Sequence, residues 1–159
     1  PNFSWTENAI SDLGRLEYGS ACFNYGLVII GILLLIFSIG LHLLLIEQRT
    51  GPTIFALSAI YLIGVGIYPL PLPEHVDISG LFFIAFPIGF LIFGLVNYNS
   101  NTQFLKKMGN AAIILVIIDA IAPITLLFFK GIAIPEAIVI IPGFIWCLIL
   151  GFYMINYKF

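Results

Sequence analysis

A chain of 159 residues that is 61% hydrophobic and only 9% charged, with a mean hydropathy of +1.13, cannot dress a water-exposed surface. Soluble domains carry about 25% charged residues, so most of this surface must face lipid or other protein. The length allows one domain, and a formal net charge of −2 argues against nucleic acid as a partner.

The chain opens on a polar stretch, SWTENAISDLG, from Ser4 to Gly14. Ser4 followed three residues later by Glu7 fits a capping box, in which each side chain serves the other's backbone N–H. Gly14 suits the position just past a helix end, where a left-handed conformation is needed. The spacing therefore predicts a short helix. Asn8, Ser11, Asp12 and Arg15 recur at three and four residues and share one face. Ile10 and Leu13 point elsewhere, and Trp5 stands at the entrance. This reads as an external amphipathic segment, residues 1–20, ahead of a bundle over 21–159. Such a segment either caps helix ends as a lid or lines a pocket with its polar face; the pattern allows both. The polar start gives no sign of a removable signal peptide, and Pro1 in place of Met fits a processed or trimmed chain.

A spanning helix needs about 20 apolar residues. Five windows qualify, at about 21–46, 53–70, 78–98, 110–129 and 135–157. Barrel strands would alternate and be shorter, so the expected fold is an all-α bundle of five transmembrane helices. Short connections predict antiparallel neighbours. Pro87 and Pro142 fall inside spans and are expected to bend them. Cys22 and Cys147 sit in apolar runs without CxxC spacing and read as small buried hydrophobes.

Orientation follows from Lys and Arg. Arg49, Lys106, Lys107 and Lys158 fall on one side, Arg15 and Lys130 on the other, so the first set is expected to be cytoplasmic. The amino-terminal segment is then external and the carboxyl terminus cytoplasmic, in a cell-membrane protein. The external side collects Glu7, Asp12, Glu17, Glu74, Asp77, Glu136 and His75.

Polar residues in apolar runs are the candidates for chemistry. Asp119 lies in VIIDAIAPI, in the fourth span. A carboxylate at mid-membrane costs about 2.5–3.5 kcal/mol, so it should face the interior, carry a proton or find a partner. Pro123 lacks an N–H, so the Asp119 carbonyl loses its helical donor. Ser58, Tyr61 and Thr125 match it in depth. His42, near the inner end of the first span, reads as a packed neutral side chain. His75 follows Pro69, Pro71 and Pro73, between Glu74 and Asp77 at the start of the third span. Acids suit that helix start. Asp12, Glu74 and His75 on one membrane face suggest acid–base work or metal binding as the alternative to a solvated turn. His42 and His75 fall near opposite faces, so bis-histidine haem ligation is not expected. The sequence implies no cofactor and no metal.

The stretches NAISDLG, FNYGLVIIGILLL and VGIYPLPLPEHVDISGLFFIAFPI resemble the domain-of-unknown-function 998 family, small prokaryotic membrane proteins related more distantly to Frag and DRAM-like proteins. The resemblance covers roughly residues 8–94. It rests on Asn8, Ser11, Asp12, Leu13 and Gly14, on Phe23 and Asn24, and on His75. It implies a further spanning helix upstream of SDLG, which would place both termini on the cytoplasmic side. It implies no catalytic residue.

These features favour a non-catalytic accessory or structural subunit of a membrane complex, with membrane lipids and other subunits as partners. The alternative is a lipid-handling enzyme or small transporter using Asp12, Arg15, His75 and Asp119. The remaining polar cluster would be Ser4, Glu7, Asn8, Ser11, Gly14, Glu74 and Asp77. The segment is expected to fold over the external mouth close to His75, with Arg15 pairing Glu74 or Asp77. Orientation is testable with a single cysteine, Gln103→Cys, in a chain lacking Cys22 and Cys147. An impermeant maleimide should label it only after permeabilisation; labelling from outside intact cells would invert the topology.

Overall fold

The computed structural model describes residues 3–45 and 48–156. Its helices are α1 (Ser20–Leu44), α2 (Thr50–Ile67), α3 (Glu74–Asn97), α4 (Gln103–Ile121) and α5 (Ala133–Asn156). Two 3₁₀ turns, Ile10–Arg15 and Ala122–Leu127, complete the secondary structure among the described residues. Five helices are long and apolar enough to cross a membrane, the fourth counted through its 3₁₀ end to Leu127. The chain is thus an all-α, multi-pass membrane protein. Helices α3 and α4 begin earlier than hydropathy predicts, at Glu74 and Gln103. Hydrogen bonding carries a helix past the hydrocarbon edge, and exposed Lys106 and Lys107 continue α4 into the polar zone. The expected span ends at Ile46 and Tyr157, and Lys158 in the charge count, lie outside the described residues.

Each helix packs on its chain neighbours, and α5 returns to α1 and closes the bundle. The centre is aromatic. On α3, Phe82, Phe86 and Phe90 repeat every fourth residue, so they stack along one face, and Phe93 extends it. All four are almost wholly buried. Trp146 of α5 meets this stripe edge-on, 4.8 Å from Phe93 and 5.1 Å from Phe90, and stacks on Phe55 of α2 at 6.0 Å. Its indole N–H donates to the Met108 carbonyl of α4 at 2.9 Å. Lipid tails are as apolar as the side chains, so close packing, rather than escape from water, drives association. Aromatic pairs in this geometry contribute about 0.5–1.5 kcal/mol each. Pro87 and Pro142 lie inside continuous helices.

Most buried polar side chains bond back to their own helix. Ser38 donates to Leu35, Ser58 to Ile54 and the Asn97 amide to Phe93, all to backbone carbonyls at 2.7–3.0 Å. This corrects the partners expected for Asp119. Ser58 is occupied, and Thr125 donates to the Ala122 carbonyl at 2.8 Å. Asp119 is half-buried, and its Oδ2 is buried with no hydrogen-bond partner among the described residues. The fourth span, expected to run to about 129, changes at Pro123: α4 ends at Ile121 and tightens into 3₁₀ turns. Cys147 is buried as expected, but Cys22 is exposed near the start of α1.

Close approach of α1 and α2 depends on Gly66. A Cβ there would sit 2.6 Å from the Asn24 carbonyl oxygen and 3.1 Å from the Val28 nitrogen, both backbone atoms that cannot swing aside. Gly66→Leu should therefore destabilise the bundle by about 1–3 kcal/mol, the usual cost of overpacking. Gly26→Ala, which meets open space, should be neutral. Thermal unfolding in detergent separates the two; equal midpoints would refute the packing.

Candidate functional site

The 3₁₀ helix Ile10–Arg15 lies at the pole where α1, α3 and α5 begin and α2 ends. Its entrance differs from the predicted box. The Ser4 N–H donates to Asn8 Oδ1 at 2.9 Å, so Asn8 does what Glu7 was expected to do, and Glu7 is exposed. One turn later the Ala9 N–H donates to Asp12 Oδ2 at 2.9 Å, and the Asn8 amide reaches the same oxygen at 3.2 Å. The helix is a single short 3₁₀ piece because these side-chain bonds replace helical ones. Gly14 lies inside it and is not left-handed; among the described residues the glycine with positive φ is Gly19, before α1. Gly14 is needed for closeness instead, since a Cβ would collide with Asn24. The Asn24 amide donates to the Gly14 carbonyl at 3.2 Å and ties the segment to α1.

The opposite edge is tied to α5. The Gly131 N–H donates to the Thr6 carbonyl at 2.8 Å, and the Ala133 N–H to the Asn8 carbonyl at 2.9 Å. Gly131 has no room for a side chain, because a Cβ would strike the backbone of Glu7 and Asn8. The shortest tie is the Ile10 N–H donating to Glu136 Oε2 at 2.6 Å. Glu136 stands in the first turn of α5, where the backbone dipole suits an acid. The segment is therefore docked on the bundle by hydrogen bonds, not floated on it as an amphipathic helix.

Beneath it lies a cavity of about 40 Å³. Its polar lining is Ser11, His75, Ser79 and Glu136; Phe23, Leu62, Phe82 and Ile140 supply apolar wall. His75 is 4% exposed. Its Nδ1 lies 2.8 Å from the Tyr68 carbonyl oxygen. A carbonyl only accepts, so Nδ1 carries the hydrogen, and in the neutral ring Nε2 is left as an acceptor. Nε2 is buried and has no hydrogen-bond partner among the described residues.

The structure brings Ser11 and His75 to one cavity. It does not bring Glu74 and Asp77 there. Both are exposed at the start of α3, because at about 100° per residue the turn that buries His75 sends its acidic neighbours outward. Arg15 pairs with Asp12 at 3.5 Å rather than with either of them. Asp119 does not line this cavity. No group of three His, Cys, Asp or Glu residues suited to a metal ion occurs among the described residues. Glu136 was counted only as an external charge. Its signal in the sequence was an acid directly after Pro135, one turn into an apolar span. Asn24 entered only through the family resemblance.

The family described as "Protein of unknown function (DUF998)" matches residues 1–153. No curated protein and no solved structure matches the chain.

The tie at Glu136 carries its own test. Glu136→Ala leaves the Ile10 N–H without its acceptor, a loss of about 1–3 kcal/mol for a buried donor. Amide exchange at residues 8–13 should speed up about tenfold or more while α2 and α3 exchange as before. Glu136→Gln keeps an acceptor oxygen and should stay near wild type. Unchanged exchange in the alanine variant would show that the segment is held without this bond.

Proposed function

The chain belongs to the DUF998 family, and from that premise we propose that it is a non-catalytic accessory or structural subunit of a membrane complex. The observation that supports this reading is how the polar groups of the amino-terminal pole are used. Asp12 holds the Ala9 N–H, Asn8 and Arg15; Asn24 holds Gly14; Glu136 holds Ile10; His75 holds Tyr68. Each of these contacts is made within the chain, most of them to its backbone. A cavity of about 40 Å³ takes a few waters or one small group. The many large apolar side chains exposed along all five helices suit lipid and the spans of neighbouring subunits. The Lys and Arg distribution supports placing this pole outside the cell and Lys106 and Lys107 in the cytoplasm.

A second reading, a lipid-handling protein or small transporter, is favoured by one observation: the buried, unbonded Nε2 of His75 on the cavity. Native purification followed by mass spectrometry separates the two. The subunit reading expects partner polypeptides at fixed stoichiometry, retained in Asp12→Asn and Glu136→Gln. A chain that runs alone with one bound lipid would overturn it.

A further inference from the structure

We propose that the cavity beneath Ile10–Arg15 is a binding site for a primary ammonium group on a short apolar stem. This goes beyond the subunit reading and does not require it. Ser11 offers the cavity a hydroxyl that can donate or accept; the other polar groups on it offer acceptors. In the neutral ring Nε2 of His75 is one, since Nδ1 carries the hydrogen toward Tyr68. Glu136 supplies a carboxyl group that uses Oε2 on Ile10 and leaves Oε1 without a hydrogen bond among the described residues. Ser79 spends its hydrogen on the Val76 carbonyl at 3.1 Å, so lone pairs remain. Among the described residues no Lys or Arg lines the cavity, and Arg15 is engaged with Asp12.

A buried acceptor without a donor, here Nε2 of His75, is costly, and an ammonium group brings three donors and a charge opposite to a carboxylate. The remaining wall is apolar, with Leu62, Phe82 and Ile140, which suits a hydrocarbon stem rather than a hydrated metal ion. The space, about 40 Å³, admits a CH₂–NH₃⁺ group, and a quaternary ammonium would bring no N–H donor to the acceptors there. The pole around it carries Glu7, Asp12, Glu17, Glu74, Asp77 and Glu136 against Arg15 and Lys130, a surplus that attracts cations. The cavity lies at the first turns of α3 and α5, at one end of the candidate spans. An aminophospholipid head and a free amine present the same chemistry there.

The test uses purified full chain in a detergent without amines, with radiolabelled n-butylammonium in equilibrium dialysis. Saturable binding of one molecule per chain is expected, with no competition from n-butanol or tetramethylammonium. Glu136→Gln keeps the acceptor for Ile10 and removes the charge, so it should fold and bind about ten-fold more weakly. Competition by an ethanolamine-headed phospholipid, and not by its choline-headed counterpart, assigns a lipid source. Competition by ethanolamine alone assigns a free amine. Absent or unsaturable binding, equal competition by butanol, or unchanged affinity in Glu136→Gln would each overturn the proposal. Because wild-type binding is measured directly, failure of the variant to fold would not leave the question open. A chain that binds butylammonium and also co-purifies with partners satisfies both readings, so the two can fail separately.

Discussion

In hydrocarbon, a backbone N–H or C=O without a partner costs several kcal/mol, and every other feature of this molecule is arranged around that constraint. It makes each apolar run a helix. It sends Ser38, Ser58 and Asn97 back to carbonyls of their own helices rather than across the bundle. It also explains the pole. Three helices begin there, and helix starts expose N–H groups that need acceptors. The carbonyls of Thr6 and Asn8 meet the N–H groups of Gly131 and Ala133, just before and at the start of α5. A polar segment is thus used to finish the hydrogen bonding of an apolar one.

The second requirement is a reason for five greasy helices to prefer each other to lipid. Trp146 supplies much of it. Its ring touches Phe37 of α1, Phe55 of α2, and Phe90 and Phe93 of α3, while its N–H reaches α4. One residue of α5 therefore contacts all four other helices. The indole has a directional donor as well as area, and the directional bond fixes the rotation of α5 about its axis. That rotation in turn determines where Glu136, ten residues earlier on the same helix, meets the amino-terminal segment.

Hydropathy made the five spans legible because a bilayer reads composition over about 20 residues and forgives local detail. The end of α4 at Ile121 was not read from the sequence, which ran the fourth span on to about 129 through Pro123. What hydropathy missed was rotation. Glu74, His75 and Asp77 are neighbours in sequence, yet only His75 turns inward. Arg15 had three acids within reach on paper, and Asp12, three residues away, took it because a local contact orders fewer dihedrals than a distant one. Glu136 was invisible for another reason. Its partner is the backbone N–H of Ile10, and a backbone donor leaves no mark in a sequence. Gly14 shows the same limit: a glycine kept for closeness to Asn24 looks like a glycine kept for a left-handed turn.

Glu136 joins the two halves of the pole. One carboxyl oxygen holds the segment, and the group as a whole borders the cavity beneath it. A donor arriving on the cavity side draws on the same carboxyl charge that holds the Ile10 N–H. The two contacts therefore cannot be energetically independent, and linkage makes the coupling reciprocal. Whatever the proposed ammonium does to the grip on Ile10, loosening or tightening that grip does equally to the ammonium. The remaining ties at Thr6, Asn8 and Gly14 do not involve Glu136, so they set a floor under how far the segment moves. The segment is then anchored at both ends, and the stretch from Ala9 to Leu13 is the part free to report what the cavity holds.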